Sequence, residues 1–128
     1  MVGKTEKISD AELEILKVLW ANKEPMTERQ VINALDEESG WHRATIQTLI
    51  RRLCEKGALQ KVKKDVFYFS AIISETELAK ERTEDLVNKV FGGNAKSLVS
   101  TMLGNDILSE DDIDDLKNYW RKRKDQNE

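Results

Sequence analysis

Arg43-Ala44-Thr45-Ile46-Gln47-Thr48-Leu49-Ile50-Arg51-Arg52-Leu53-Cys54-Glu55-Lys56-Gly57 is the stretch that decides the fold. Ile46, Leu49, Ile50 and Leu53 stand at i, i+3, i+4 and i+7, which is one apolar stripe on a helix. The spacing predicts a helix from His42 or Arg43 to Lys56, with Gly57 as its C-terminal cap. At about 100° per residue, Ala44, Thr48 and Arg51 lie opposite the stripe, and Gln47 and Arg52 flank them. One face therefore packs, while the other carries methyl, hydroxyl, amide and guanidinium groups with no acid before Glu55. These groups suit a DNA major groove, where Gln pairs with adenine, Arg with guanine, and an Ala or Thr methyl meets the thymine methyl. Taken alone, the same face also fits an ordinary solvated surface helix, so its neighbours carry the decision.

Downstream, Leu59-Gln60-Lys61-Val62-Lys63 and Val66-Phe67-Tyr68-Phe69-Ser70 flank Lys64-Asp65. Two β-prone alternating runs around a turn predict a hairpin. Lys61, Lys63 and Lys64 would lie along a DNA backbone as a wing, and lysines also blunt an exposed edge strand. Upstream, Thr27 with Gln30 is a capping box opening a short helix through Val31, Ile32 and Leu35, with a turn at 36–40. Trp41 reads as a packing residue, and His42 lies where it would meet a phosphate. Further back, Ser9 with Glu12 caps a helix carrying Leu13, Leu16, Val18, Leu19 and Trp20, which Pro25 prevents from continuing. Three helices and a hairpin are the order of a winged helix-turn-helix, placed at residues 1–73. Arg43, Ala44, Thr45, Gln47, Thr48, Arg51, Arg52, Lys61, Lys63 and Lys64 are the expected DNA contacts.

Residues 74–128 read differently. Ser74 with Glu77 opens a long helix stopped by Gly92-Gly93, a second helix ends at Gly104, and Ser109 caps a third. Leu78, Leu86, Val87, Val90, Phe91, Leu98, Val99, Met102, Ile113, Leu116 and Trp120 are a thin core for some 50 residues. Burial against a second copy resolves this, and a two-fold dimer sets two reading helices about one DNA turn apart. The alternative is a monomer whose arm folds back on the first domain. The expected fold is mainly α with a small β-hairpin: a winged helix-turn-helix plus a C-terminal helical dimerisation arm.

The net charge of −3 over 128 residues hides an asymmetry. Residues 41–64 hold seven Lys and Arg against Glu55 alone, a local positive field able to bind phosphate. Residues 74–128 are acidic, which leaves a second reading open: a protein-interaction module docking a basic partner. One His and one Cys, with no phosphate loop and no metal-ligand cluster, argue against an enzyme and against a cofactor. The lone Cys54 cannot form an internal disulfide, the start MVGKTEKIS has no apolar run, and nothing approaches a membrane span. Cytoplasmic residence without membrane attachment is expected.

The chain resembles the penicillinase-repressor family, the BlaI/MecI type that also includes copper-responsive CopY repressors. The resemblance rests on Ile8-Ser9-Asp10-Ala11-Glu12 with Trp20, on Thr45 through Leu53 with Lys56-Gly57, and on Phe91-Gly92-Gly93 with Lys96-Ser97-Leu98-Val99. It implies a homodimeric repressor binding operators upstream of resistance genes, typically those of a β-lactamase or a penicillin-binding protein. A repressor of an unrelated operon is the alternative within the same fold. By resemblance, Thr45 and Thr48 match recognition-helix threonines and Arg51 or Arg52 a nearby arginine, while Ala44 and Gln47 stand where relatives often have Lys and Arg. The β-lactam branch is inactivated by a regulatory protease, typically at an Asn-Phe bond after the Lys-Ser-Leu-Val run. The matching pair here is Thr101-Met102. The copper branch uses C-terminal Cys-x-Cys motifs, and residues 71–128 contain no cysteine.

Overall fold

The computed structural model describes residues 7–126. Along the chain run α1 (Asp10–Ala21), β1 (Met26–Thr27), α2 (Glu28–Ser39), α3 (Arg43–Glu55), β2 (Leu59–Lys63), β3 (Phe67–Ala71), α4 (Glu75–Val90), α5 (Ala95–Gly104) and α6 (Glu110–Gln126). They form two compact units, Met1–Lys80 and Glu81–Glu128.

The first unit is a winged helix. The Ser9 hydroxyl accepts from the Glu12 N–H at 3.1 Å, and Glu12 accepts from the Ser9 N–H at 2.8 Å, closing the first capping box. Thr27 and Gln30 repeat it on α2. Each box satisfies amides that a helix start leaves without partners. The three helices pool their stripes in one core: Ile15, Leu16 and Leu19 of α1, Val31 and Leu35 of α2, and Ile46, Leu49, Ile50 and Leu53 of α3. Burying each such side chain contributes about 1.5–3 kcal/mol. Trp41 packs against this core, as its position predicts. Gly57 follows α3 at φ +76°, a left-handed turn that glycine adopts without strain.

Three features depart from expectation. The α2 helix runs through 36–39 before Gly40 stops it at φ +69°, whereas the sequence predicts a turn over 36–40. The sheet has a third strand: β1 pairs antiparallel with β3, Met26 opposite Phe69, in the order β1-β3-β2. Two residues after a proline carry no readable alternation, so this strand was invisible in the sequence. Leu78, assigned to the dimer arm, is instead a core residue of the first unit, 5% exposed. The first turn of α4 belongs to that unit, which ends at Lys80 rather than at residue 73. The Trp20 indole N–H donates to the Ile73 carbonyl at 3.0 Å and fixes the chain where it leaves the sheet.

The second unit is built of helix and caps. Gly92 and Gly93, at φ +59° and +85°, end α4, and the Gly93 N–H donates to the Val87 carbonyl at 2.9 Å. Asn94 caps α5 by accepting from the Ser97 N–H. Ser109 caps α6 by accepting from the Asp112 N–H, and Asp112 accepts from the Ser109 N–H at 2.9 Å. These Ser109 bonds hold the Asp112 carboxyl below its ordinary range. The acids Glu110, Asp111 and Asp112 open α6 and Arg123 and Lys124 close it, complementing the helix dipole. Neither α5 nor α6 buries a residue.

Candidate nucleic-acid interface

The core stripe of α3 fixes what its other face presents. His42 is the N-cap residue and makes no side-chain capping bond, which leaves its ring exposed beside Arg43, Ala44 and Thr45. Thr48 donates its hydroxyl hydrogen to the Ala44 carbonyl at 3.0 Å, so it offers a partner only its methyl and an acceptor oxygen. Arg51 lies 3.7 Å from Glu55, with both side chains about two-thirds exposed. Such a pair is worth little in water and yields readily to a phosphate. Arg52 is exposed on the flank.

Gln47 is not free as its sequence position suggests. Its Nε2 donates to Glu28 Oε2 of α2 at 3.0 Å. The α3 sequence has no early acid, but α2 brings one beside it. Long-range placement of this kind leaves no local signal.

The hairpin completes a groove beside α3. A hollow of about 540 Å³ is lined by Glu28, Arg29, Arg43, Lys61 and Phe67, among others. A second, of about 500 Å³, runs along Ala44, Gln47, Thr48, Arg51 and Cys54, and shares Glu28, Lys61 and Phe69 with the first. The wing lysines divide by strand alternation. Lys61 and Lys63 place their ammonium groups 4.1 and 4.7 Å from the centre of the Phe67 ring, whereas Lys64 sits 5.5 Å from that of Tyr68. Phe67, 40% exposed, and Arg29 are groove residues that sequence reasoning passed over. The signal that could have found Phe67 is the hairpin register, which sets it opposite Lys63, with Lys61 two residues away on the same face.

Lys56, counted in the basic window, is engaged elsewhere. Its ammonium donates to Glu12 Oε1 at 2.5 Å and to the Lys7 carbonyl at 2.8 Å. Glu12 is 1% exposed. Burial pushes its carboxyl up, but the bonds from Lys56 and Ser9 outweigh that and hold it below the ordinary value. Lys56 therefore joins α3 to α1. Burial also raises the Cys54 thiol, with Lys61 opposing and Glu55 adding to the shift, so at neutral pH it stays protonated and weakly nucleophilic.

In the arm, Leu86, Val90, Val99, Leu116 and Trp120 are exposed, Val90 by 66% and Trp120 by 62%. Val87, Phe91, Leu98, Met102 and Ile113 are half-buried. Leu103, Ile107 and Tyr119 add exposed apolar surface beyond the expected set. Thr101 is exposed within α5 and donates its hydroxyl to the Ser97 carbonyl. Among the described residues, no His/Cys/Asp/Glu cluster could hold a metal ion, and no helix is long and apolar enough to cross a membrane.

The model of the penicillinase repressor family matches residues 8–122. The chain belongs to the penicillinase repressor family. This is a family of transcriptional repressors rather than of enzymes. A penicillinase repressor of Bacillus licheniformis is 36% identical over 122 residues, covering 94% of each chain. The methicillin resistance regulatory protein MecI of Staphylococcus aureus is 31% identical over 124 residues, covering 96% of this chain and all of MecI. Among solved structures, the DNA-binding domain of the repressor BlaI matches with a TM-score of 0.50 and 41% identity, over 56% of this chain and 92% of that domain. Monomeric Bacillus licheniformis BlaI in complex with the blaP half-operator matches equally well, over 56% of this chain and 88% of that one.

Proposed function

We propose that the protein is a cytoplasmic homodimeric repressor that binds a two-fold symmetric duplex operator and silences resistance genes of the β-lactamase or penicillin-binding-protein type. The observation carrying this reading is the α3 face: exposed methyl and guanidinium groups and the half-buried Gln47 amide, beside a lysine-bearing wing, on a family scaffold. The α3 residues Ala44, Thr45, Gln47, Thr48 and Arg51 enter the major groove, with Arg43 and Arg52 on its phosphate walls. Lys61 and Lys63 follow the backbone, with Lys64 on the outer side of the wing. A second copy covers the exposed stripes of the arm. Half-operator binding by a monomeric relative supports one winged helix per half-site.

Footprinting on the gene's own upstream DNA tests this. The expected result is two protected blocks related by two-fold symmetry about one helical turn apart, with binding weakened by salt. Equal binding to random duplexes would overturn it.

Release by a regulatory protease at Thr101-Met102 is the family's mode carried to this chain. The bond lies inside α5, so cutting requires that helix to open first. An intact arm throughout derepression in cells would count against this step.

A further inference from the structure

We infer that Glu28 is a specificity-determining residue: by holding the Gln47 amide through its nitrogen, it fixes which atom of that amide meets a base. The inference rests on the proposal that α3 reads DNA and goes beyond it.

A glutamine amide has two faces of opposite polarity, and rotation by 180° about its last bond exchanges oxygen and nitrogen. On an unsupported recognition residue both orientations are open, and the side chain matches donors and acceptors alike. Here Gln47 Nε2 donates to Glu28 Oε2 at 3.0 Å. A carboxylate only accepts, so the flipped amide would set oxygen against oxygen and lose the bond. The Gln47 carbonyl is thereby kept as the free acceptor, and Nε2 keeps one hydrogen to give. In the major groove, adenine N6 and cytosine N4 donate, whereas guanine O6 and thymine O4 accept. Glu28 therefore biases the Gln47 position toward a base with an exocyclic amine, and toward adenine when the remaining Nε2 hydrogen reaches N7. Glu28 is well placed for this, because it heads α2 and lines both hollows beside α3, with Lys61. Its charge also faces the same groove as Arg29 and Arg43, so it lowers affinity for every sequence alike while narrowing choice at one.

The test is selection from a pool of random duplexes by the full chain, in parallel for wild type, Glu28→Gln and Gln47→Ala. Glu28→Gln keeps the shape but pairs with either amide orientation. Wild type is expected to prefer an amine-bearing base at one position per half-site on the order of tenfold. Glu28→Gln is expected to reduce that preference to about threefold or less, leave other positions unchanged, and bind all sequences at least as tightly. Gln47→Ala should flatten the same position, and the double variant should flatten it no further. A wild-type motif retained in full by Glu28→Gln overturns the role of Glu28 alone. Absence of any wild-type motif overturns DNA reading by α3 as well. Broadening at every position in Glu28→Gln would mark Glu28 as merely structural and overturn its specific role.

Discussion

The two units solve the same physical problem in opposite ways. The first closes its apolar stripes on themselves: four α3 residues are at most 5% exposed, and Ile15 and Leu16 are fully buried. The second has caps, dipole-matched charges and glycine stops of similar quality, yet α5 and α6 bury nothing. Local signals decide whether helices form, and only packing decides whether they suffice alone. The apolar surface left open on these complete helices is the one the proposed second copy would cover.

The sharpest way to break this contrast is a matched pair of truncations. Leu53→Ala should destabilise the first unit by about 2–5 kcal/mol, since it opens a cavity in a closed core. Trp120→Ala should leave the denaturation midpoint of that unit unchanged and weaken self-association about tenfold or more. Denaturant titration with sedimentation separates the two. A Trp120→Ala protein that is as dimeric as wild type would mean that this face is not the one a second copy covers.

A smaller effect probes the polar bond between α1 and α3. Glu12→Gln should cost about 1–3 kcal/mol at neutral pH, through loss of the charged partner of Lys56. The Glu12 carboxyl is held below its ordinary value of 4.5 in the folded state. Its contribution is therefore present above that value and lost as pH falls through the lower folded value. The gap between wild type and variant should narrow in acid. A gap independent of pH from 7 to 3 would remove the ionic account.

The smallest effect lies on the wing. Lys63→Ala should weaken all DNA sequences alike and lower the salt slope of binding by about one. An effect confined to one base position would show that the wing reads sequence.

What was legible in the sequence follows the same division. Residues whose partners lie within one or two helical turns were readable: the capping boxes, the α3 stripe and Gly57. The hairpin came from alternation. Residues defined by distant partners were not. Lys56 reads as one more basic residue of the window, and nothing nearby says that Glu12 claims it. Gln47 and Glu28 lie 19 positions apart. Leu78 shares α4 with Leu86, Val87 and Val90, and Ser74, Glu75, Glu81 and Arg82 stand three and four residues from it, so its burial in the first core could not be read from α4 alone. Phe67 reads as strand-forming, and its exposure beside Lys61 and Lys63 gives it a place at the groove.

The placement of Leu78 bears on what a cut at Thr101-Met102 would leave behind. The N-terminal piece would retain every residue of the winged-helix core, because that core ends well before the cut. It would stay folded and able to occupy one half-site, but it would lose the tether that turns the second half-site into an intramolecular event. Linking two modest binding events multiplies their strength through effective concentration, with no new contact. Such a cut would abolish avidity and spare recognition, so repression would fail by the operator emptying rather than by the protein unfolding.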